Sequence, residues 1–176
     1  MSLLLAKRNP ARLVLNWTLA GALVGLMPDS VWGKPSEMLI GSASGAVVGL
    51  VLYVSLSSIS GFASGWLQRL WRWPSLRPTV VMESVFEELV WRGLSFQVLR
   101  EYVPTAAALA FSTIGFALLH FESQCVKGVF VHVVTGLSFA SVVLVTGSLA
   151  AAIAAHVVYN LFAASGRSDR IVTARR

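Results

Sequence analysis

Ionisable side chains sit within apolar segments at three places in this chain: Glu87-Glu88-x-x-x-Arg92, Phe116-x-x-x-His120 and His156-x-x-x-Asn160. A charged group at the bilayer centre costs about 3 kcal/mol or more. It therefore faces a bundle interior or a wet cavity, pairs with another polar group, and marks function. Three such groups from three apolar segments predict one polar pocket enclosed by a helical bundle.

The rest of the sequence has the composition such a bundle needs. Of 176 residues, 56% are hydrophobic and 12% charged, and the mean hydropathy is +0.72. Soluble domains carry about 25% charged residues. The expected fold is all-α: a polytopic membrane bundle of about six transmembrane helices, forming a single integral membrane domain over residues 1–176. The predicted spans are residues 13–27, 38–62, 79–99, 105–121, 126–146 and 148–164. Several are shorter than the ~20 residues of a perpendicular crossing. Lys7, Arg8 and Arg12 precede the first apolar run as in a signal peptide, but no small-x-small cleavage site follows, so the run is expected to be retained. Gly41, Gly45 and Gly49 in the second span have the small-x-x-x-small spacing that lets helix backbones approach.

A net charge of +6 is also compatible with nucleic acid, but the basic residues collect at the chain ends and in one loop, so a bilayer is expected and nucleic acid is not. Six spans place Lys7, Arg8, Arg12, Arg69, Arg72, Arg77, Lys127, Arg167, Arg170, Arg175 and Arg176 on one side and only Lys34 and Arg100 on the other. Both termini are therefore expected in the cytoplasm. The segment 66–73, Trp-Leu-Gln-Arg-Leu-Trp-Arg-Trp, suits the membrane interface, with rings at headgroup level and guanidiniums toward phosphates. Cys125 is the only cysteine, which excludes an intrachain disulfide.

Helical spacing gives the polar residues partners. Glu88 and Arg92 lie four apart on one face, with the acid first, and can form an ion pair. Glu87 points about 100° away and has no local partner, which makes it the candidate general base. Thr79 lies about 12 Å before it along the helix at ~1.5 Å per residue. His120, one turn after Phe116, can position a water or share a proton with Glu87. His156 and Asn160 share a face and can offer donors to one oxyanion. Glu83 is expected to be solvated near the interface, and His132 to serve packing.

The ordered set resembles the signatures of the CPBP family, the CAAX proteases and bacteriocin-processing enzymes also called Abi. The matching runs are Glu87-Glu88-Leu89-Val90-Trp91-Arg92-Gly93, Phe116-Ala117-Leu118-Leu119-His120 and His156-Val157-Val158-Tyr159-Asn160. The resemblance covers a protease core of about residues 79–164. It implies a glutamate-type intramembrane endopeptidase of the bacterial cytoplasmic membrane, with no cofactor. In that family pattern Glu87 and His120 activate water, and His156 and Asn160 form the oxyanion hole. Glu88, Arg92 and Phe116 support the pocket. The implied substrate is a membrane-associated protein or peptide, processed at a C-terminal tail or a leader. This chain is short for the family, which leaves the substrate and the oligomeric state open.

Three other readings stand beside it. Glu87, His120 and His156 form a two-histidine, one-carboxylate zinc set by residue type, though no His-Glu-x-x-His motif occurs. Cys125 with a histidine and an arginine would suit a cysteine-type membrane transpeptidase. A non-catalytic scaffold or bacteriocin-immunity protein would keep the pocket for binding alone.

Overall fold

The computed structural model describes Thr18 and residues 21–25, 27, 29–59, 77–118, 120 and 126–173. Segment 66–73, Cys125, Phe121 and most of the first predicted span lie outside them. All regular structure among the described residues is helical: α1 (Asp29–Trp32), α2 (Pro35–Ile59), α3 (Pro78–Glu88), a π-helical segment (Leu89–Phe96), α4 (Gln97–Leu99), α5 (Thr105–Leu118), α6 (Val126–Thr146) and α7 (Leu149–Thr173).

Local chemistry sets the helix starts. Pro35 and Pro78 open α2 and α3, where a missing N–H costs nothing. The Lys34 N–H donates to Glu37 Oε2 at 2.8 Å, half of a capping box. Gly147, at φ +67°, turns the chain between α6 and α7. Ser148 Oγ then donates to the Trp32 carbonyl at 2.7 Å, tying that turn to α1.

Helix α7 is the spine of the bundle. Gly45 and Gly49 of α2 lie so close to it that a Cβ at either would overlap the carbonyl oxygen of Ala151 or Ala155, respectively. This is the close approach that the glycine spacing predicts. Four residues on α2 match four on α7, so these two helices run parallel. Helix α3 crosses α7 antiparallel, with Ser84 bonded to Asn160 and Glu88 to His156. A small apolar core of Val31, Leu89, Phe139, Val143, Leu149, Ala152 and Ala155 fills the junction.

Polarity is distributed as a bilayer requires. Leu39, Val126 and Val145 are 75%, 78% and 87% exposed, while Ser84, Glu88, Arg92 and Ser112 are fully buried. Helices over Pro35–Ser57 and Gly128–Thr146 are long and apolar enough to cross a membrane, and the apolar stretches Thr105–Leu118 and Leu149–Ala164 are shorter.

Most predicted spans coincide with helices, and 126–146 does so at both ends. Two differ in ways that matter. The 79–99 span is not uniform, because Leu89–Phe96 winds as a π-helix. The last helix does not stop at Ala164 but continues to Thr173. Its apolar run ends there, but the polar residues that follow include no proline, and the backbone remains helical past the lipid-compatible stretch.

Candidate active site

Each of the three motifs contributes to one cluster, and α3 brings the most. Glu88 is fully buried, and its Oε1 accepts from Arg92 Nη1 at 3.0 Å. Arg92 Nη2 donates to the Gly136 carbonyl at 3.0 Å, so the guanidinium pins α6 to this cluster. Its Cζ lies over the Phe116 ring, 4.5 Å from the centroid, and over the Phe139 ring at 5.6 Å. Both aromatic faces favour a cation there. The ion pair has the i,i+4 geometry expected from the sequence.

The π-helical winding places Arg92 in this position. Leu89, Arg92, Gly93 and Phe96 all turn inward from the segment. Ser112 Oγ donates to the Trp91 carbonyl at 2.7 Å, a side-chain bond entering the backbone ladder from α5. Such insertions locally loosen an α-helix, and short π segments recur at functional sites.

Glu87 is the accessible carboxylate of the pair: its side chain is 28% exposed, against 0% for Glu88. Its two oxygens are straddled by imidazoles. His120 Nε2 stands 3.9 Å from Oε1, and His156 Nε2 stands 3.6 Å from Oε2. Both separations exceed a direct hydrogen bond. In the glutamate reading of the sequence Glu87 is paired with His120 alone, and only the zinc reading groups His156 with it; the fold brings both rings to this carboxylate.

The other ring nitrogens identify the tautomers. His120 Nδ1 lies 2.9 Å from the Phe116 carbonyl, which can only accept, so Nδ1 carries hydrogen. His156 Nδ1 lies 2.7 Å from Glu88 Oε1, the oxygen already paired with Arg92, so it too donates. Both histidines therefore present Nε2 to Glu87, each held by an acceptor behind it. Phe116 packs among the rings, with its centroid 5.0 Å from His120 and 5.8 Å from His156.

Asn160 sits one turn beyond His156, and its Nδ2 donates to Ser84 Oγ at 3.0 Å. His156 and Asn160 are each held from α3, the first through Glu88 and the second through Ser84. Four contributors escape a motif reading. Ser84 precedes Glu88 by one turn, a spacing visible in the sequence. His132 stacks on His120 with centroids 3.8 Å apart, closer to the site than a general packing role implies. Phe139 stacks on His156 at 4.8 Å. Gly136 acts through a backbone carbonyl, which sequence does not reveal. Glu83 is half-buried. Among the described residues, no three His, Cys, Asp or Glu side chains are grouped to hold a metal ion.

A carboxylate flanked by two imidazoles can take a proton from water and return it to a leaving group. The buried Glu88–Arg92 pair fixes one of those imidazoles. Comparison with known families gives a match to the model described as Rce1-like, type II CAAX prenyl endopeptidase, over residues 3–162. No curated protein and no solved structure matches the chain.

Proposed function

Because the chain belongs to the Rce1-like type II CAAX prenyl endopeptidase family, which with its apolar helices makes it a membrane protease, we propose that it is a glutamate-type intramembrane endopeptidase. Its substrate is a membrane-associated protein or peptide, trimmed at a C-terminal tail or a leader. The observation that carries this reading is the straddled Glu87, with one histidine Nε2 near each carboxylate oxygen.

In this mechanism water binds between Glu87 and His120. Glu87 takes one proton as the water oxygen attacks the scissile carbonyl carbon. The carbonyl oxygen becomes an oxyanion, which accepts from His156 Nε2–H and from the Asn160 amide. The Nδ1–H of His156 is committed to Glu88, so Nε2 donates only when the ring holds a second proton. The Glu88 carboxylate compensates that charge at 2.7 Å. The proton held at Glu87 then passes to the leaving amine, and the C–N bond breaks.

Six spans with both termini in the cytoplasm, in a bacterial inner membrane, agree with the bias of Lys and Arg toward one side. The test is Glu87→Gln, which keeps shape and removes the base. Purified protein in liposomes is assayed for C-terminal tripeptide release from a prenylated CAAX peptide and for cleavage of membrane-anchored tail and leader peptides. The expected result is a loss of ~10²–10⁴-fold with folding intact. Retained cleavage by Glu87→Gln would refute the mechanism, and a cellular phenotype that survives the change would favour a binding role.

A further inference from the structure

Ser84 belongs to none of the three motifs, yet it is fully buried at the centre of the α3–α7 contact. Its single hydroxyl hydrogen goes to the Val80 carbonyl at 2.9 Å. Toward Asn160 its oxygen can therefore only accept, and Asn160 Nδ2 donates to it at 3.0 Å. A carboxamide has two ends of similar shape and opposite polarity. Ser84 distinguishes them: it takes the nitrogen end, leaving one further N–H on that nitrogen.

One turn along α3, Glu88 holds His156 in the same manner. The two contacts form successive rungs between antiparallel helices, so one face of α3 orients both donors on α7. A flipped Asn160 would present Oδ1 lone pairs where the second N–H now lies, and those would repel a developing oxyanion.

We propose that Ser84 is a positioning residue that keeps the Asn160 amide nitrogen, rather than its carbonyl oxygen, directed at the oxyanion. This rests on the reading of Asn160 as an oxyanion donor. The experiment is a double-mutant cycle of Ser84→Ala and Asn160→Ala in proteoliposomes, with a prenylated CAAX peptide as probe. Asn160→Ala is expected to lower kcat ~10²-fold and Ser84→Ala ~10-fold, both with KM nearly unchanged. The double variant should match Asn160→Ala, because no amide remains to orient.

Additive losses, or full activity in Ser84→Ala beside an impaired Asn160→Ala, would overturn the proposal alone. Unimpaired turnover in Asn160→Ala would remove the oxyanion reading and the proposal with it. A second readout is independent of turnover. In protein labelled with 15N-asparagine, the side-chain amide signal lost in Asn160→Ala should show one bonded and one less bonded proton. Ser84→Ala should bring the two together, and an unchanged pair of signals would overturn the proposal.

Discussion

Replacing Arg92 by Met removes the cation paired with the buried Glu88 and leaves His156 as its remaining partner. The lost contacts are the 3.0 Å pair with Glu88, the 3.0 Å bond to the Gly136 carbonyl and the stacking on Phe116 at 4.5 Å. Removing one partner of a buried pair costs about 3–5 kcal/mol, mostly from the orphaned charge. The Met side chain retains much of the packing. His156 Nδ1, 2.7 Å from the same oxygen, partly neutralises Glu88. A loss of ~3 kcal/mol is therefore expected. Adding Glu88→Gln removes the orphaned charge and should bring the double variant to within ~1–2 kcal/mol of wild type. The assay is equilibrium unfolding by SDS titration in mixed micelles, followed by circular dichroism. A cost below ~1 kcal/mol for Arg92→Met, or a double variant no more stable than the single, would refute the burial argument.

Two further outcomes follow from the geometry. Gly49→Ala forces a Cβ onto the Ala155 carbonyl, beside His156, and should cost ~1–3 kcal/mol together with activity. Gly41→Ala meets side-chain Cβ atoms rather than backbone, the nearest being those of Ala151, Ser148 and Thr146 at 3.3, 3.4 and 3.7 Å, and should stay within ~1 kcal/mol in the same titration. Cleavage in proteoliposomes should survive a strong chelator. Loss of cleavage that zinc restores would replace the glutamate mechanism with a metal one.

Among the described residues, most helix positions were legible because apolar runs are separated by proline, glycine or polar residues. The 126–146 span lies between the segment 121–125 and Gly147, and its ends match the helix. The Glu88–Arg92 pair was legible because four-residue spacing fixes a face. The stacked pair His120 and His132 was not, since it joins α6 to the turn after α5 and depends on how those elements cross. Nor was the acceptor for Arg92, because any residue at position 136 offers a carbonyl. Glycine there lets Arg92 Nη2 and Thr113 approach: an added Cβ would lie 3.3 and 3.2 Å from them. The polar tail of α7 was missed for another reason. Hydropathy locates lipid, and a helix can outlast it.

The motif Glu87-Glu88-x-x-x-Arg92 straddles a change of winding, with its carboxylates on the α side and its guanidinium on the π side. A π turn closes from residue i to i+5, one residue more than an α turn. The two ends of the motif therefore keep different clocks. Deleting one residue between Gly93 and Phe96 would leave the written motif intact and let the ladder close as ordinary α-helix, while re-aiming the guanidinium away from Gly136. Two chains with the same six letters could then differ in whether those letters meet, and a search by motif alone would not tell them apart.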